Sequence, residues 1–596
     1  MIETVYEPLK RYRDEFKGNF AQHTREAFET LLAESEVDSS ENGRLITAID
    51  RLEERIRQKE GSKSGWGCLS TGLIVVAICA FLFAGYLFFG EDGVADDPDG
   101  EKITLALSAL GIGVVTFFLF FSWGRPRYRR VCQQIAELGR TREEKVDEAK
   151  EQMLPLNRLY EWDLTTRLIE QTVPRIHFDP FFSEERLEEL ITSFGWNNGY
   201  NEDKSILFAL SGEINGNPFV FSEARIQEWG TKTYTGHLTI HWTEEVEDSE
   251  GNTHTIHRSQ TLTADVDKPI PEYKAQRLLI YGNDAAPNLT FTRSPSAISS
   301  PDNGFFAKMR KKREIKKLRA FSRNLDDESQ YTMMANEEFE ALFNTVDRDN
   351  EVEFRLLFTA LAQRQMLDLV KDRTVGFGDD FTFMKLNKIN IIQAKHLDGF
   401  PLTTDPNRFF DYNLKRAAET FQRENEAYFK HIYFAFAPLL AIPLYQQIRS
   451  HRTIYQDVIP TASFWEHEAA ANYHGDDRFK HPDCVTRTIL KTEITSRHDG
   501  MTDLAVSSYG FRAERRTDYV RVWGGDGEPH DVPVEWVEYL PVKRISKLSI
   551  AEQKGVSFAD YRKALAESTP EMWRERFRAW SADPTRATFR RSIVSW

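Results

Sequence analysis

Two long apolar runs near the N-terminus dominate the pattern of hydrophobic and polar positions in this chain. They cover residues 66–89 and 103–123, and neither contains a charged side chain. A helix needs roughly 20 apolar residues to cross a hydrocarbon core about 30 Å thick. The pattern therefore predicts two transmembrane helices joined by a short loop, that is, a transmembrane hairpin. The alternative is a pair of helices buried in a soluble core.

The charges around the two runs predict the orientation of this hairpin. The loop between them, residues 91–102, holds six carboxylates and one cation, Lys102. An excess of lysine and arginine marks the cytoplasmic side. We therefore expect a multi-pass protein of the inner (plasma) membrane, with both termini in the cytoplasm. The basic flanks comprise Arg51, Arg55, Arg57, Lys59 and Lys63 before the first run, and Arg125, Arg127, Arg129, Arg130, Arg140 and Arg142 after the second.

Amphipathic helices are expected on both sides of the hairpin. Leu45, Ile49 and Leu52 recur at intervals of three or four residues, which places them on one helix face. Residues 131–153 repeat this pattern after the second run, and residues 9–31 show it near the N-terminus. The two stripes beside the hairpin either pair with each other as an antiparallel coil or dock separately on the soluble body.

From residue 176 onward the pattern changes to one that is typical of β-strands. Thr, Val, Ile, Tyr and Phe are frequent, and a cluster of turn-forming residues occupies 248–252. This predicts a β-meander with a long hairpin that ends at Pro269 and Pro271. The predicted strands are 206–214, 219–226, 234–246 and 253–266.

The C-terminal part of the chain mixes both patterns. Residues 339–345 and 381–392 are predicted strands, and Asn350 is the predicted cap of a helix that carries Val352, Leu356, Ala360 and Leu361. Further strands are expected at 487–495, 504–514, 516–522 and 532–539, with a glycine-rich turn at 524–527 and closing helices at 558–566 and 573–580.

One apolar segment in this part, residues 433–444, is too short to span a membrane. Pro438 and Pro443 also interrupt it. A buried core segment is the favoured interpretation. A loop that dips into the membrane is the alternative.

These elements predict an α+β fold, in which N-terminal helices with a two-helix transmembrane hairpin precede a large β-rich α+β cytoplasmic region. The hydrophobic fraction of 41% is ordinary for a globular protein, and a net charge of −15 argues against nucleic acid as a partner. The predicted parts are N-terminal amphipathic helices at 1–64, the hairpin at 65–124, a juxtamembrane helical stalk at 125–175, a β-rich meander domain at 176–300, a basic connector at 301–335 and an α+β region at 336–596.

Two segments of the soluble body resemble a known group of sequences. Residues 212–223, GEINGNPFVFSE, and 343–359, FNTVDRDNEVEFRLLFT, are similar to an uncharacterised family of bacterial two-span membrane proteins. The fuller chain, including 433–444 and 519–527, resembles large transmembrane proteins of mollicutes. The resemblance covers about residues 176–545 and implies two spans followed by an α+β cytoplasmic region. It implies no activity and no catalytic residues.

A cationic segment separates the two halves of the soluble body. Aromatic and aliphatic residues are interleaved with its basic side chains. Such a helix can lie on an anionic lipid surface, gaining about 1 kcal/mol per cation, or it can serve as a solvated connector. The residues that are candidates for lipid contact are Lys308, Arg310, Lys311, Lys312, Arg313, Lys316, Lys317 and Arg319.

A second cluster, residues 466–484, is rich in side chains that bind metals. His467, His474 and His481 are its candidate ligands. Seven residues separate the first two, about 10 Å along a helix, so a zinc ion with bonds near 2.1 Å reaches both only if the chain turns at Gly475. The spacing favours structural or surface histidines, with a metal site as the alternative.

Other chemical signals are weaker. Residues 376–380, GFGDD, offer paired carboxylates, although a turn before a strand explains them equally well. His237 and His241 are predicted to share a face of the long hairpin, with a further histidine from His254 and His257 across the turn. Motifs for phosphate loops, nucleophile elbows and dinucleotide binding are absent from the sequence, and no cofactor is expected.

The functional prediction is a membrane-anchored, non-enzymatic binding or scaffold protein that acts at the inner leaflet. Its expected partners are membrane lipid and either another protein or a second copy, held through the hairpin and stalk. Two alternatives remain. One is a metal-dependent hydrolase that uses the histidine cluster, and the other is a pore or transporter subunit, which uncharged spans disfavour.

Overall fold

The computed structural model describes residues 6–89, 101–247, 253–296, 312–320, 331–450, 461–498, 501–551, 586–590 and 592–595. About half of the structure is helical and 30% is strand, so the predicted mixture of helix and sheet is confirmed. The chain divides into two compact units. The smaller unit comprises 26–160 and 406–422, and the larger one comprises 1–25, 161–405 and 423–596.

Two long apolar helices are the main elements of the smaller unit. Helix α1 (Pro8–Arg11), a π-helical turn (Tyr12–Phe16) and α2 (Lys17–Ser35) precede them along the chain; α1 and the turn belong to the larger unit, and the boundary falls within α2. The long helices are α3 (Ser39–Phe89) and α4 (Glu101–Leu119), and a π-helical turn (Phe120–Gly124) joins α4 to α5 (Arg125–Asn157).

Of the two arrangements left open for the stripes, the structure has the antiparallel coil. Leu45 and Ile49 of α3 pack against Val146 and Ala149 of α5, and Tyr412 lies against the same cluster. Polar contacts continue the pairing along the helices. The Lys59 Nζ atom donates to Gln134 Oε1 at 2.9 Å, and the Arg142 guanidinium lies 2.7 Å from the Glu53 carboxylate. The two helices therefore run antiparallel over several turns.

The larger unit is built around two antiparallel sheets. The first has the order β1-β2-β3-β4-β7-β6-β5 and the second β11-β12-β10-β9-β8. Strands of the first sheet are β1 (Ile176–Phe178), β2 (Lys204–Ile214), β3 (Asn217–Glu247), β4 (Thr253–Gly282), β5 (Thr290–Arg293), β6 (Phe381–Leu386) and β7 (Ile389–Ala394). Those of the second are β8 (Ile489–His498), β9 (Met501–Trp523), β10 (Pro529–Ala551), β11 (Arg586–Phe589) and β12 (Ser592–Ser595).

The hairpins β3–β4 and β9–β10 are far longer than ordinary strands and stack on each other. A strand rises about 3.3 Å per residue, so the 31 residues of β3 extend over roughly 100 Å. Ile240, Leu262, Val532 and Val534 form a small core between the two hairpins. A side chain at Gly236 would collide with the backbone carbonyl of Pro533, so glycine permits this close approach. We call the stacked distal parts, residues 229–270 and 511–542, the arm.

The prediction that Pro269 and Pro271 end the hairpin was wrong. Strand β4 continues through both prolines, which pair with Thr231 and Trp229 of β3. Proline is tolerated in an edge strand where its missing N–H would point away from the neighbour. The two prolines are two residues apart and therefore share this orientation. Two further predicted breaks are also absent. The predicted strands 219–226 and 234–246 are parts of one continuous strand, β3. The predicted strands 504–514 and 516–522 are likewise parts of one strand, β9.

The larger unit also contains helices, the longest of which begins in the smaller unit. They are α6 (Leu164–Thr172), α7 (Glu184–Phe194), α8 (312–320), α9 (Glu337–Phe343), α10 (Glu351–Leu357), α11 (Ala360–Lys371), α12 (Leu414–Leu440), α13 (Pro443–Gln447) and α14 (Phe464–Tyr473). Residues 339–345 were predicted as a strand, which was wrong. The Asn336 side chain caps α9 by accepting from the Phe339 N–H, and acidic residues fill the first turn, as helix N-termini favour.

Other local predictions are confirmed or corrected in detail. Asn350 caps α10 as predicted, but the helix ends at Leu357 and Thr359 caps a separate helix, α11. Residues 381–392 form two strands around a turn at Asn387, whose φ is 55°. The apolar segment 433–444 is buried, as favoured. Tyr433 and the adjacent Phe429 contact the rings of Tyr12 and Phe20 from the N-terminal helices. The predicted helices at 558–566 and 573–580 lie outside the described residues.

Candidate membrane-anchoring site

The apolar stretches of α3 and α4 are long and apolar enough to cross a membrane. None of the residues that the structure describes covers their outward surface. Leu82 is 69% exposed, Val115 58% and Phe118 68%. The helices contact each other closely, because Phe81 packs against Gly113 and lies across the ring of Phe117. Moving apolar surface from water into an apolar environment is favourable by about 25 cal/mol per Å². The free energy of transfer therefore favours placing the exposed surface of α3 and α4 in an apolar environment.

Aromatic and basic side chains mark one end of this apolar helix pair. The indole rings of Trp66 and Trp123 meet edge to face, with centroids 5.1 Å apart. The Arg127 guanidinium lies 5.1 Å from the first ring and 4.8 Å from the second. Arg125 lies over the ring of Phe121 at 5.4 Å. Tryptophan and arginine at this position are typical of the boundary between hydrocarbon and lipid headgroups.

The basic segment is only partly described. Lys308, Arg310 and Lys311 lie outside the described residues. Lys312, Arg313, Lys316, Lys317 and Arg319 lie on α8, where Leu318 is buried. Lys317 is 3.2 Å from Glu314, and Arg319 forms an ion pair with Glu337. The remaining cations of α8 face solvent, so this helix keeps the amphipathic character that the sequence predicts.

The histidines proposed for metal binding occupy three different settings. His467 is buried on α14, and His474 follows the helix as its C-terminal cap. Gly475 has φ 93° and turns the chain, which was the condition for a metal site, and the His481 ring nitrogen Nδ1 accepts from the Asp483 N–H at 3.2 Å. Burial lowers the pKa of His474 to about 4. Among the residues that the structure describes, no three metal-ligating side chains come together.

Replacing His467 and His474 by alanine together is expected to leave the metal content of the purified protein unchanged. His467→Ala opens a buried space, so a modest loss of thermal stability should accompany it. Metal content is measured by mass spectrometry of the parent and the variant, with His481→Ala as the control for surface binding. Stoichiometric zinc in the parent that disappears in the double variant would contradict this expectation.

The GFGDD motif forms a turn before β6. Gly378 has φ 72°, and Asp379 forms a buried ion pair with Arg293. The Asp380 carboxylate lies 2.5 Å from the His396 ring nitrogen Nδ1, while the Nε2 atom of that ring is 3.0 Å from the carbonyl of His431. Both carboxylates are therefore engaged in structural contacts. A small cleft beside Asp380 has a volume of about 10 Å³. This is about the space that one water molecule needs and is too small for a substrate.

The histidines of the long hairpin are arranged as predicted. His237, His241 and His257 share one face of β3–β4, where His241 pairs with Ser259 and His257 with Thr243. His254 lies on the opposite face, because it pairs with Val246. His237, His241 and His257 are exposed, and threonines occupy neighbouring positions on the same face. This face is a polar solvent-facing surface.

Buried charges were missed by sequence reasoning. Arg186 is 2% exposed and binds the Asp179 and Glu189 carboxylates at 2.9 and 2.8 Å. Burial raises the pKa of Glu189. Lys385 is fully buried and donates to the carbonyls of Ala285 and Asn387, and burial lowers its pKa to about 7. Carbonyl oxygens enclose this amine, so it is a structural group. Isolated charges in a sequence carry no signal of such pairing.

The chain has no match among models of protein families, curated proteins or solved structures. The resemblance to two-span bacterial membrane proteins therefore stays a prediction. The class of protein that the fold supports is a mixed helix and sheet protein with two helices suited to a membrane.

Proposed function

We propose that the protein is anchored in the inner membrane by α3 and α4 and that its α+β body binds a protein partner or lipid at the inner leaflet. The body is a scaffold in this proposal and carries out no chemistry. The single observation that supports the anchor best is the apolar surface of α3 and α4. It is continuous, free of charge and uncovered by the described residues.

The geometry at the end of the helix pair supports the same proposal. Trp66, Trp123 and Arg127 form one cluster where the apolar surface stops. Residues 66–89 of α3, as a helix with a rise of 1.5 Å per residue, extend over roughly 36 Å, enough for a hydrocarbon core of about 30 Å. Beyond the tryptophans α3 and α5 continue as the polar coil. This arrangement suits a helical hairpin whose stalk stands in the cytoplasm.

Extraction of membranes with alkaline carbonate tests this proposal. The full chain is expected to stay in the membrane pellet and to be released only by detergent, because the described residues leave the apolar surface of α3 and α4 exposed. A variant without residues 66–123 is the matched control and should move to the soluble fraction. Release of the full chain by carbonate would contradict the anchor.

The basic segment is expected to add lipid affinity. Reversing Lys311, Lys312, Lys316 and Lys317 to glutamate, in a form of the chain without residues 66–123, should weaken binding to vesicles that contain anionic lipid. The difference should shrink as salt rises, since exposed charges are screened beyond about 10 Å at 0.1 M. Vesicle sedimentation measures the bound fraction.

A matched control carries the same change in charge elsewhere. Lys10, Lys371, Lys388 and Lys415 are spread over other elements and are likewise reversed to glutamate. Equal loss of binding in both variants would show a nonspecific effect of net charge. Unchanged binding after reversal of the basic segment would reject its role at the lipid surface.

A further inference from the structure

Within the arm, the outer edge of β10 and the outer edge of β9 differ in whether another strand can pair with them. In β10, Pro529, Pro533 and Pro541 pair with Trp523, Tyr519 and Phe511 of β9. Proline has no N–H, so these positions point their backbone groups away from β9. The outer edge of β10 is therefore blocked at three places. Proline at the edge is a known means of preventing further strand pairing.

The outer edge of β9 lacks this protection. Because orientation alternates along an antiparallel ladder, the β9 partners of these prolines also point their backbone groups outward. Phe511 shows this, since its N–H donates to Thr486 Oγ1 at 3.1 Å and its carbonyl accepts from the Val485 N–H at 2.9 Å. Beyond it, no described strand pairs with this side of β9. The outward-pointing residues of this free edge are Ala513, Arg515, Thr517, Tyr519, Arg521 and Trp523.

Side chains beside the free edge have the composition of an interface. Tyr519 and Trp523 are each 70% exposed and lie on the face of β9 that is turned away from the core of the arm. Arg521 lies between them and contacts Asp531 across the ladder at 3.1 Å. Tyrosine, tryptophan and arginine are the residues that contribute most to binding at protein interfaces. Beyond Trp229, which packs against Phe511, the free edge of β3 carries mainly threonine and histidine.

We propose that the free edge of β9 pairs with β9 of a second copy of this chain, antiparallel and centred on Tyr519. In this register Tyr519 faces its own counterpart, Thr517 faces Arg521 of the second copy, and Arg515 faces Trp523 of the second copy. Main-chain hydrogen bonds then join the two arms into one continuous sheet, and each exposed aromatic residue gains a cross-strand neighbour. An arginine beside a tryptophan ring adds a cation–π contact.

Competing registers are disfavoured by charge. Centring on Asp518 places that carboxylate opposite itself and Arg515 opposite Arg521, and centring on Arg516 opposes two arginines. Like charges directly opposite destabilise a strand pair. Centring on Thr517 pairs Trp523 with Phe511, whose backbone groups are already bound by Val485 and Thr486. The register centred on Tyr519 avoids all three conflicts.

The test is the oligomeric state of the full chain in detergent, measured by light scattering after size exclusion. The parent is expected to be a dimer. Thr517→Pro removes an outward N–H and should raise the dissociation constant at least about tenfold, because lost hydrogen bonds and a steric clash each oppose pairing. Thr517→Val keeps the N–H and should remain dimeric. A monomeric parent, or a dimer that Thr517→Pro leaves intact, would overturn the proposal.

A second measurement does not depend on how well the proline variant folds. Tyr519→Cys, in a chain whose four native cysteines are serine, should join to its counterpart with a short thiol crosslinker, since paired Cα atoms are about 5.5 Å apart. Asp531→Cys lies on the same face but on β10, and should not crosslink. Equal crosslinking at both positions, or none at Tyr519→Cys, would exclude this register. The readout is independent of whether α3 and α4 cross a membrane.

Discussion

An alkaline phosphatase reporter inserted after Gly93 is expected to be active, whereas a green fluorescent protein joined to the C-terminus is expected to fluoresce. Phosphatase folds only outside the cytoplasm and the fluorescent protein only inside it. The expectation follows from the excess of lysine and arginine on both outer flanks of the helix pair and of carboxylates in the loop. The difference between the two sites should be close to all or none.

Exchanging the reporters provides the control for this experiment. Phosphatase at the C-terminus should be inactive, and fluorescence after Gly93 should be lost, although immunoblots show both fusions. An active phosphatase at the C-terminus would place the α+β body on the outer side. That result would be compatible with membrane anchoring by α3 and α4, but it would contradict the proposed binding at the inner leaflet.

Arg186→Met is expected to destabilise the larger unit by about 3–5 kcal/mol, the cost of breaking a buried ion pair by removing one partner. Asp179 and Glu189 would remain, both about 2% exposed or less at the side chain, without the guanidinium that lies between them in the parent. Urea unfolding followed by circular dichroism measures the change. Arg167→Met is the matched control, because its side chain is 41% exposed beside Glu161 and should cost about 0–1 kcal/mol.

The loss in Arg186→Met should depend on pH in a defined direction. Burial already raises the pKa of Glu189, and removing Arg186 raises it further because the guanidinium favours the charged carboxylate. The folded variant then binds a proton that the unfolded chain has released, so its stability falls as pH rises above the usual carboxyl range. The destabilisation should be smaller at pH 5 than at pH 8. Equal losses at both values would show that packing, not charge, sets the cost.

Local sequence patterns determined several elements of this protein. The apolar runs predicted the apolar stretches of α3 and α4, because an unbroken run of this length is helical and needs an apolar surrounding. The stripe containing Leu45 and Ile49 predicted one apolar helix face, although it left open whether the second stripe or the soluble body covers that face. Asn350 predicted a helix start, since its side chain caps the helix through a contact within three residues. Each of these features depends on residues close together in the chain.

Other elements were decided only by tertiary structure. Pro269 is a strand breaker by local rules, yet it is accommodated because no described strand pairs with the outer side of β4 at that point. Phe339 and Phe343 stack on each other on α9 beneath Phe291, so packing selected a helix where an apolar run was predicted as a strand. The Asn336 cap and the acidic first turn were the local signals of that helix.

The arm and the burial of the ion pairs were likewise decided only by tertiary structure. Stacking of β3–β4 on β9–β10 joins residues that are nearly 300 positions apart. Arg186 lies only three residues from Glu189 and seven from Asp179, but the packing of the larger unit decides that all three charges are buried. A sequence pattern reports the face that a residue occupies along its own element. It carries no information about which distant element covers that face, because the free energy of burial depends on area and partner rather than on position in the chain.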